Sequence, residues 1–441
     1  MPAAWNTAEL AALDKRHGWH PFTPMEAWCD PGHEPVFLVR GQGVWLWDSH
    51  GARYLDGNSS IWTNIHGHSH PKLVAAIHNQ AATIAHSSFL GFSNPWATLL
   101  ASRLVSFFPN TRLQRVFFTD DGSTAIECAL KMAIQYRQLC RQTDRLVFGA
   151  FAQAYHGDTL GAASLGGVPV FHDRFARWGL QPIRIAGMND LLALDDATIR
   201  SLNAIVIEPL IQGVNRMHLW PTGMLRDLRA WCDAHDVLLI LDEVMTGFGR
   251  TGKMFACQHE DVVPDFLCLA KGITAGTLPL AATLVTDGVF ASFLGPNDGH
   301  HVFHYGHSYC GNPLGCAAAL ASLDIFAEEN TLVGLPDKIT ALDRELHRLR
   351  ETFPNNIGAI RQLGLVAGID IIAAPGVPFA AGLAMGSRIC LAARAHGLLT
   401  RPILDTIVIM PPLCITELEI TFLCEALGRA LADTLRSVNN L

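Results

Sequence analysis

The recurrence of short apolar runs between helix-like stretches is the feature that most limits how this chain can fold. The runs are RVFFT (115–119), RLVFGA (145–150), NAIVIEP (203–209), DVLLILD (236–242), DFLCLA (265–270) and AATLVT (281–286). Several are rich in Val and Ile, and segments of helical periodicity such as STAIECALKMAIQYRQLC (123–140) flank them. Strands that are apolar on both faces must be covered on both faces. The alternation therefore predicts an α/β fold in which helices cover a mostly parallel central sheet.

Shifts in composition along the 441 residues predict three structural parts. Two Pro- and Gly-rich stretches, 20–35 and 373–382, frame the predicted strands and helices. A chain of this length can build two or three units with a large core. We therefore expect a large domain over 61–328, a smaller α+β domain over 329–441, and an N-terminal segment, 1–60, that contributes to the smaller domain.

The charge and the cysteines argue against several classes of partner and location. The net charge is −8 and no block of basic residues occurs, which argues against nucleic acid or an anionic membrane surface as the partner. No apolar run approaches the ~20 residues of a spanning helix, and the first residues lack the pattern of a signal peptide. The eleven cysteines are scattered without a C-x-x-C pair. Such thiols are typical of a reducing compartment, so we expect a cytoplasmic protein.

The segment VLLILDEVMTGFGRTG (237–252) contains the glycine pattern G-x-G-x-x-G of dinucleotide-binding proteins, from Gly247 to Gly252. In those proteins the turn follows a strand directly, opens a helix and precedes a ribose-binding acid. Here four residues separate the strand end at Asp242 from Gly247, and KMFACQHEDVVPD (253–265) is a poor helix start. The pattern therefore favours a glycine-rich surface loop. A nicotinamide-dependent dehydrogenase stays an alternative of a different class.

Asp242 and Lys271 are the first candidates for catalysis. Asp242 ends one apolar run and Lys271 follows the next, which predicts both at the carboxyl ends of strands in one sheet, where ligands of open α/β folds bind. Burial lowers the pKa of an amine, and a neutral amine can attack a carbonyl. An aspartate beside a pyridinium nitrogen would keep that nitrogen protonated. The pair suggests a pyridoxal-phosphate site, and a structural ion pair or a strand-end cap is the alternative.

A candidate phosphate cradle and an aromatic ring follow two other predicted strands. In FFTDDGSTAIECALKMA (117–133) a strand, a turn and a helix succeed one another. Gly122 allows a close backbone approach, Ser123 offers a hydroxyl, and the amides of the helix N-terminus attract an anion. The same residues would also make an ordinary helix cap. Tyr155, in YHGDT (155–159), is either a ring-stacking side chain or a packed core tyrosine.

Several of these segments together resemble the class III aminotransferases, pyridoxal-phosphate enzymes of fold type I. The likeness is carried, in this order, by DGSTAIECALKMA (121–133), YHGDTLGA (155–162), IEP (207–209), LDEVMTGFGRTGKMFACQHE (241–260), PDFLCLAKGITAG (264–276) and HSYCGNPLGCAAA (307–319). Members that aminate 8-amino-7-oxononanoate in biotin biosynthesis are also similar in WHPFTPM (19–25), LDGNSSIWTNIHGHSHP (55–71) and LLTRPILDTIVIMPPL (398–413). The resemblance implies conversion of that ketone to 7,8-diaminononanoate in two half-reactions, with adenosylmethionine as the donor and lysine as an alternative.

The resemblance also implies which residues hold the cofactor. Lys271 would bind pyridoxal phosphate covalently and transfer the proton at the reacting carbon. Asp242 would pair with the pyridinium nitrogen, Tyr155 would lie over the ring, and Gly122 with Ser123 would hold the phosphate. In this family the enzyme is a homodimer with active sites at the interface. The resemblance therefore implies that His307 and Ser308 reach the phosphate bound in the partner subunit.

For the substrates, the resemblance implies a second set of contacts. Arg401 would hold the carboxylate of the oxononanoate, a task suited to a planar guanidinium. The other implied substrate contacts are Ile61, Trp62, Tyr155, Gly306 and Lys271. Arg250, in the glycine-rich loop, is a further candidate for contact near the site.

Three positions depart from the pattern of the family. Phe22 stands where many members have Tyr, and Ile61 stands where many have a second Trp beside Trp62. Both fall in the region that receives the amino donor, which is why lysine stays open as the donor. Asp121 replaces a Ser in the phosphate turn, and we expect it to point away from the anion and cap the helix.

Two histidine-rich stretches and several rival functions complete the hypotheses. HGHSH (66–70) and HHVFHYGH (300–307) lack the spacing and companion acid of a metal site, so we expect no metal. The rivals are another class III transaminase acting on an ω-amino acid, an aminomutase, and a binding protein that kept the fold but lost catalysis. The joint presence of Lys271 and Asp242 argues against the last.

Overall fold

The structure is a computed structural model that describes residues 5–297 and 299–439. The ends of the predicted N-terminal and C-terminal parts, 1–4 and 440–441, lie outside the described residues. The N-terminal elements are α1 (Thr7–His17), α2 (Met25–Cys29), β1 (Leu38–Gln42), β2 (Trp45–Asp48), β3 (Arg53–Asp56) and the single turn α3 (Ser59–Trp62).

The middle of the chain alternates strands with helices. Its elements are α4 (Pro71–Thr83), α5 (Pro95–Val105), β4 (Leu113–Thr119), α6 (Gly122–Leu139), β5 (Val147–Phe151), α7 (Leu160–Leu165), α8 (Pro169–His172), β6 (Ile183–Ile185), α9 (Met188–Leu192), α10 (Asp196–Ser201), β7 (Leu202–Ile207), β8 (Ile211–Gln212), β9 (His218–Leu219), α11 (Met224–Ala234), β10 (Leu238–Asp242), β11 (Phe266–Leu269), β12 (Ala281–Thr286), α12 (Asp287–Ser292) and α13 (Pro313–Glu328). Short 3-10 helices span Ala176–Trp178, Ala256–His259 and Lys271–Thr274.

The C-terminal part mixes helices with short antiparallel strands. Its elements are α14 (Leu335–Thr352), β13 (Ile357–Leu363), β14 (Val366–Ala374), β15 (Val377–Pro378), α15 (Met385–Ala395), β16 (Leu398–Leu399), β17 (Arg401–Ile403), β18 (Thr406–Ile409) and α16 (Glu417–Asn439), with a 3-10 helix at Ala381–Leu383. Strands β13, β14, β18 and β17 pair antiparallel in this order.

The central sheet has seven strands in the order β4-β12-β11-β10-β7-β5-β6, and only β12 runs antiparallel to its neighbours. Both faces are covered, as the apolar runs predicted. In β10, Leu238 and Ile240 pack into one buried cluster, while Leu239 and Leu241 pack into another. Alternate residues of a strand point to opposite faces, so a strand without polar positions belongs between two layers. The α/β fold with a mostly parallel sheet is confirmed, and the short strand β6 is one that the apolar runs did not predict.

The N-terminal strands pair with the C-terminal part of the chain. β1, β2 and β3 form an antiparallel meander, and β3 pairs parallel with β16, with Leu55 opposite Leu398. This pairing supports the predicted contribution of the N-terminal segment to the smaller domain. The division into 1–60, 61–328 and 329–441 itself stays a prediction.

Candidate active site

Asp242 and Lys271 come from adjacent parallel strands of the central sheet. β10 ends at Asp242, which pairs with Cys268 of β11. Lys271 follows two residues after the end of β11 and opens a 3-10 turn, with a φ of +42°. The carboxyl ends of parallel strands meet at one edge of a sheet, so the fold brings the two charges to the same edge.

The carboxylate of Asp242 is buried and held in a fixed orientation. The residue is 5% exposed, and its Oδ1 accepts a hydrogen bond from the backbone N–H of Val244 at 3.1 Å. Its Oδ2 lies 2.8 Å from Nδ1 of His156, a side chain that is itself fully buried. The Nε2 atom of His156 is buried without a hydrogen-bond partner in the described structure. A buried polar group needs hydrogen-bond partners, and the contacts with Val244 and His156 supply them and fix the direction of the carboxylate.

The side chain of Lys271 is partly buried, and no carboxylate of the described residues pairs with its amine. Burial lowers its pKa below the ordinary value, although the negative charges of Asp242 and Glu208 oppose that shift. Its Nζ lies 5.0 Å from the centre of the Trp62 ring. Among the residues that the structure describes, no ion pair joins Nζ to Asp242, although both residues line the same cavity. A lowered pKa increases the neutral fraction of an amine, and the neutral amine is the nucleophilic form.

Glu208 adds a second buried carboxyl group beside these residues. Its two side-chain oxygens accept backbone hydrogen bonds from Tyr155 at 3.1 Å and from Gly213 at 2.8 Å. Burial raises the pKa of Glu208 to about 7, and the charge of Asp242 acts in the same direction. Glu208 therefore connects the segment that carries Tyr155 to the loop after β8. Because its raised pKa reduces its negative charge near neutral pH, this connection does not require a cation beside it.

Helix α6 begins at the edge of the same cavity. Asp121 caps the helix by accepting a hydrogen bond from the Thr124 backbone at 3.0 Å, which confirms that it turns towards the helix. A Cβ added to Gly122 would lie 2.7 Å from Cγ1 of Val244, so only glycine fits there without a shift. The Oγ atom of Ser123 accepts a hydrogen bond from the Asp158 backbone at 3.1 Å. The helix N-terminus and this hydroxyl form an anion-binding corner.

The segment after β5 closes this corner from the other side. Gly157 has a φ of +123°, and a Cβ added there would lie 2.3 Å from Oγ of Ser123. The hydroxyl of Tyr155 donates to Oδ2 of Asp158 at 2.6 Å, and its ring meets the Phe171 ring edge-on at 5.8 Å. Burial raises the pKa of Tyr155 well above its ordinary value, so this hydroxyl keeps its proton.

A single cavity of about 1140 Å³ joins these groups. Its wall includes Gly122, Ser123, Tyr155, His156, Glu208, Asp242, Val244, Lys271, Ile61, Trp62 and Arg401. Arg401 lies at the start of β17 and is exposed, and the apolar side chains of Phe171, Ile403 and Leu404 line the same cavity. The cavity therefore combines a few charged groups with apolar wall residues, as binding sites for small molecules do.

Gly306, His307 and Ser308 do not line this cavity of their own chain. Nδ1 of His307 lies 2.7 Å from Oδ2 of Asp120, in the turn before α6, and its Nε2 lies 3.1 Å from the hydroxyl of Tyr305. The segment is thus beside the phosphate corner, outside the wall of the cavity.

The glycine-rich loop is buried, which corrects the expectation of a surface loop. A Cβ added to Gly249 would lie 2.7 Å from Cδ1 of Leu413, so the loop packs tightly against the C-terminal part. Arg250 is fully buried and donates hydrogen bonds to the carbonyls of Asn64 and Pro411. It does not line the cavity, so Arg250 joins three segments of chain instead of contacting a ligand. No helix opens at Gly252, as the argument against a dinucleotide site required.

The histidine-rich stretches have other partners. Nε2 of His66 lies 3.1 Å from the carbonyl oxygen of Ser322, and Nε2 of His68 lies 2.9 Å from Oδ2 of Asp56. In residues 5–297 and 299–439, no group of three or more His, Cys, Asp or Glu side chains is arranged to hold a metal ion.

Three residues of the site were given no role by the sequence predictions. His156, Glu208 and Val244 surround Asp242 and Lys271 in the cavity. His156 is adjacent to Tyr155, and Glu208 follows the apolar run that ends at 207, so a strand-end rule could have suggested both. Val244 has no polar signal, and only the fold shows that it lies opposite Gly122.

These residues fit pyridoxal phosphate. The cofactor needs an amine for its aldehyde, an acid for its ring nitrogen and an anion-binding corner for its phosphate. The cavity provides Lys271, which has no ion-pair partner among the described residues, and Asp242 oriented by His156. It also provides the start of α6 and the adjacent Gly157 loop, where added Cβ atoms at Gly122 and Gly157 would collide with their neighbours. The fit is therefore one of chemistry and of space.

Comparisons with known proteins agree with this site. A sequence model of the family described as "Aminotransferase class-III" matches residues 28–431. The chain is 42% identical to the adenosylmethionine-8-amino-7-oxononanoate aminotransferase of Geobacter sulfurreducens, over 97% of this chain and 98% of that protein.

Solved structures give the same result. The aminotransferase of that name from Methanocaldococcus jannaschii superposes with a TM-score of 0.92 at 39% identity, covering 97% of this chain and 99% of that one. An amine transaminase from an uncultivated Pseudomonas species, solved in its PLP-bound form, has a TM-score of 0.86 at 33% identity and covers 94% and 98% of the two chains. The chain therefore belongs to the class III aminotransferases, and its cofactor is pyridoxal phosphate.

Proposed function

We propose that the protein aminates 8-amino-7-oxononanoate to 7,8-diaminononanoate, a step of biotin biosynthesis. The observation that carries the proposal is one cavity lined by Lys271, which has no ion-pair partner among the described residues, by an oriented Asp242, by apolar side chains and by Arg401. The names of the relatives from Geobacter and Methanocaldococcus support this substrate.

Each cofactor residue has a separate task in this proposal. The bound cofactor stores the amino group between the two half-reactions and withdraws electrons from the carbon that loses its proton. Lys271 releases and returns the proton at that carbon, which its lowered pKa favours. Asp242 keeps the ring nitrogen protonated, Gly122 and Ser123 bind the phosphate, and Tyr155 lies against the ring.

The substrate side of the cavity suits a long chain with one terminal acid. Arg401 has no carboxylate partner among the described residues, so its guanidinium is available for a bidentate contact with the acid of the oxononanoate. The apolar side chains beside it cover the methylene chain. Ile61 and Trp62 line the cavity on the side of Lys271.

The amino donor in this proposal is adenosylmethionine, and lysine is the alternative. Phe22 and Ile61 both line the cavity, and Phe22 meets Phe171 edge-on at 5.6 Å. These apolar side chains replace a hydroxyl-bearing and a larger aromatic residue of many relatives. A comparison of the two donors in the first half-reaction separates the alternatives, because only the true donor converts the cofactor at a useful rate.

The test of the substrate uses the second half-reaction. The enzyme in its pyridoxamine-phosphate form is mixed with 8-amino-7-oxononanoate, and the absorption band of the lysine-bound cofactor is followed. Return of the band supports the proposal. A different result is that the band returns only when the acceptor is the carbonyl compound that corresponds to an ω-amino acid or to a simple amine. That result would favour the ω-transaminase alternative, which the similar amine transaminase keeps open.

Two lysine variants show whether the band reports on the proposed residue. Lys271→Ala should remove the band, because no amine is left to bind the aldehyde. Lys253→Ala is the matched control: Lys253 is exposed, and its Nζ donates to the Gln258 carbonyl at 2.8 Å in the same part of the chain. A band that persists in Lys271→Ala would contradict the assignment.

The proposed enzyme is a cytoplasmic homodimer. Leu90, Phe92 and Leu99 are 86%, 73% and 56% exposed, which is an unusual concentration of large apolar side chains for a free surface. No helix in the part of the chain that the structure describes is long and apolar enough to cross a bilayer. The eleven free cysteines support a reducing compartment.

Mixing two inactive variants tests whether the partner completes the site. In the proposal, His307 and Ser308 of one subunit contact the phosphate bound by the other. Ser308→Asp should repel that phosphate, and Lys271→Ala should abolish the covalent bond. A mixed dimer then contains one intact site, so mixing should restore activity, and absence of any recovery in a dimer of confirmed mixed composition would contradict the shared site.

A further inference from the structure

The turn that carries Ile61 and Trp62 is left-handed. In α3 the φ angles of Ser59, Ser60, Ile61 and Trp62 are +45°, +54°, +91° and +67°. In this conformation the Cβ of an L-residue crowds the following carbonyl oxygen, and a β-branched residue such as Ile61 is especially disfavoured. Such backbone persists only where its surroundings over-determine it, and it concentrates at functional sites.

The buried carboxylate of Asp56 holds this turn through hydrogen bonds. Asp56 is 2% exposed at the end of β3. Its Oδ1 accepts from the backbone N–H groups of Asn58 at 3.2 Å and Ser60 at 3.0 Å, and its Oδ2 accepts from the Ser60 hydroxyl at 2.9 Å. On the other side, the Ser59 hydroxyl donates to the Met410 carbonyl at 2.6 Å. The strained residues are therefore tied at two points.

His68 fixes the orientation of Asp56. The Gly67 backbone N–H donates to Oδ1 of Asn64 at 2.8 Å, so the amide nitrogen of Asn64 faces Nδ1 of His68 at 3.2 Å. Nδ1 of His68 must then accept, and its Nε2 donates to Oδ2 of Asp56 at 2.9 Å. The donors and acceptors of this chain of contacts match throughout, which gives the turn one arrangement.

The result of this arrangement is the position of Trp62. Its indole N–H donates to Oδ1 of Asn58 at 2.9 Å, and its ring centre lies 5.0 Å from Nζ of Lys271. A Cβ added to Gly213 would lie 3.1 Å from Cζ3 of the indole, so the ring is confined on that side. A Cβ added to Gly276, which has a φ of +79°, would lie 2.8 Å from the Asn64 nitrogen. The loop after Lys271 thus packs directly on the segment after the turn.

We propose that Asp56 is a positioning residue, which holds the left-handed turn Ser59–Trp62 so that the Trp62 ring lies against the amine of Lys271 and shapes the substrate side of the cavity. Asp56 does not line the cavity, so it acts only through the turn. The kinetic part of the test rests on the proposed function, because it uses 8-amino-7-oxononanoate as the substrate.

The principal variants are Asp56→Asn, Trp62→Ala and the double variant. Asparagine keeps one acceptor oxygen but places an amide against His68 and Ser60. In Asp56→Asn, the loss of a hydrogen bond to a charged group should raise KM by about tenfold or more. The kcat value should change little, because Lys271 and Asp242 are untouched. If Asp56 acts through Trp62, the double variant should have the KM of Trp62→Ala alone, since the two effects are not additive.

Asp48→Asn is the matched control for a buried aspartate that holds a turn. Asp48 lies at the end of β2 and accepts from the backbone N–H groups of His50 at 3.0 Å and Ala52 at 2.9 Å and from the Tyr54 hydroxyl at 2.7 Å. It has the same kinds of bond and similar burial, but it does not line the cavity or contact the turn. Its variant should lose stability and keep the kinetic constants of the wild type.

A readout that does not need the substrate is the rate at which the apoenzyme captures added pyridoxal phosphate at Lys271, followed by absorbance. Asp56→Asn and Trp62→Ala should slow capture by the same factor, and Asp48→Asn should leave it unchanged. If the wild type captures the cofactor but does not convert the oxononanoate, the proposed function fails while the positioning role is still tested.

The outcomes separate the positioning role from a purely structural one. Asp56→Asn with the kinetics and capture rate of Asp48→Asn, or additive effects in the double variant, would overturn the proposal. If Asp56→Asn does not fold, Ser60→Ala removes one bond to Asp56 from an exposed position and should raise KM about fivefold. An unchanged KM and capture rate in Ser60→Ala would then overturn it.

Discussion

Gly157 offers a test of the phosphate corner in which two physical costs can be separated. Its φ of +123° disfavours any residue with a side chain, and an added Cβ would lie 2.3 Å from Oγ, 2.7 Å from Cβ and 2.8 Å from Cα of Ser123. Two of these atoms belong to the side chain and one to the backbone at the start of α6. To remove these close contacts in Gly157→Ala, the loop or the helix must move, because a rotation of the Ser123 side chain cannot remove all three of them.

The expected cost follows from adding the two effects. A left-handed backbone costs about 1–2 kcal/mol for a residue other than glycine. Overpacking of a tight contact costs about 1–3 kcal/mol more. The second cost falls on the Ser123 corner, where it weakens binding of the phosphate. Converted at 1.4 kcal/mol per tenfold, it corresponds to a loss in affinity for pyridoxal phosphate of about 5- to 150-fold.

Gly376→Ala is the matched control, because Gly376 has a φ of +76° and nothing lies within 4 Å of an added Cβ. Gly376→Ala should lower the urea midpoint of unfolding by the backbone cost alone and should leave the affinity for the cofactor unchanged. The affinity is measured by titrating each apoenzyme with pyridoxal phosphate and, separately, with pyridoxal. The loss in Gly157→Ala should be confined to the phosphate-bearing form. Equal losses for both forms, or wild-type affinity in Gly157→Ala, would refute the reasoning.

Two further predictions concern pH and substrate binding. Burial lowers the pKa of His66 to about 3 from 6.5. Between these two values the imidazole is protonated in the unfolded chain and neutral in the folded chain, so the free energy of unfolding falls as the pH drops below 6.5. At pH 5 the loss of unfolding free energy is about 2 kcal/mol. The variant His66→Gln should remove this part of the pH dependence of the urea midpoint, and the exposed control His347→Gln should keep it. An unchanged pH profile in His66→Gln would contradict the assignment. Arg401→Ala should raise KM for 8-amino-7-oxononanoate about 10- to 100-fold with little change in kcat, because a charge-assisted bidentate contact is lost. Arg401→Lys should recover only part of it, and an unchanged KM in steady-state kinetics would exclude the contact.

The site was partly predictable from the sequence because of where strands end. Asp242 and Lys271 are 29 positions apart, yet each follows an apolar run, and parallel strands bring their carboxyl ends to one edge. The cap formed by Asp121 was also predictable, since it depends on three neighbouring residues. The burial of the glycine-rich loop was not, because Gly249 is confined by Leu413 and Phe326, which come from distant parts of the chain.

The sequence by itself determined the alternation of buried strands and helices, the edge of the sheet at which Asp242 and Lys271 meet, and the helix start at Gly122, because each depends on local periodicity or on neighbouring residues. Only the tertiary structure decided that His156 orients Asp242, that Arg250 joins three segments, and that the turn Ser59–Trp62 is left-handed. No local preference selects such a turn. Bonds from Asp56 and Met410, the latter about 350 positions away, hold it against its own backbone strain.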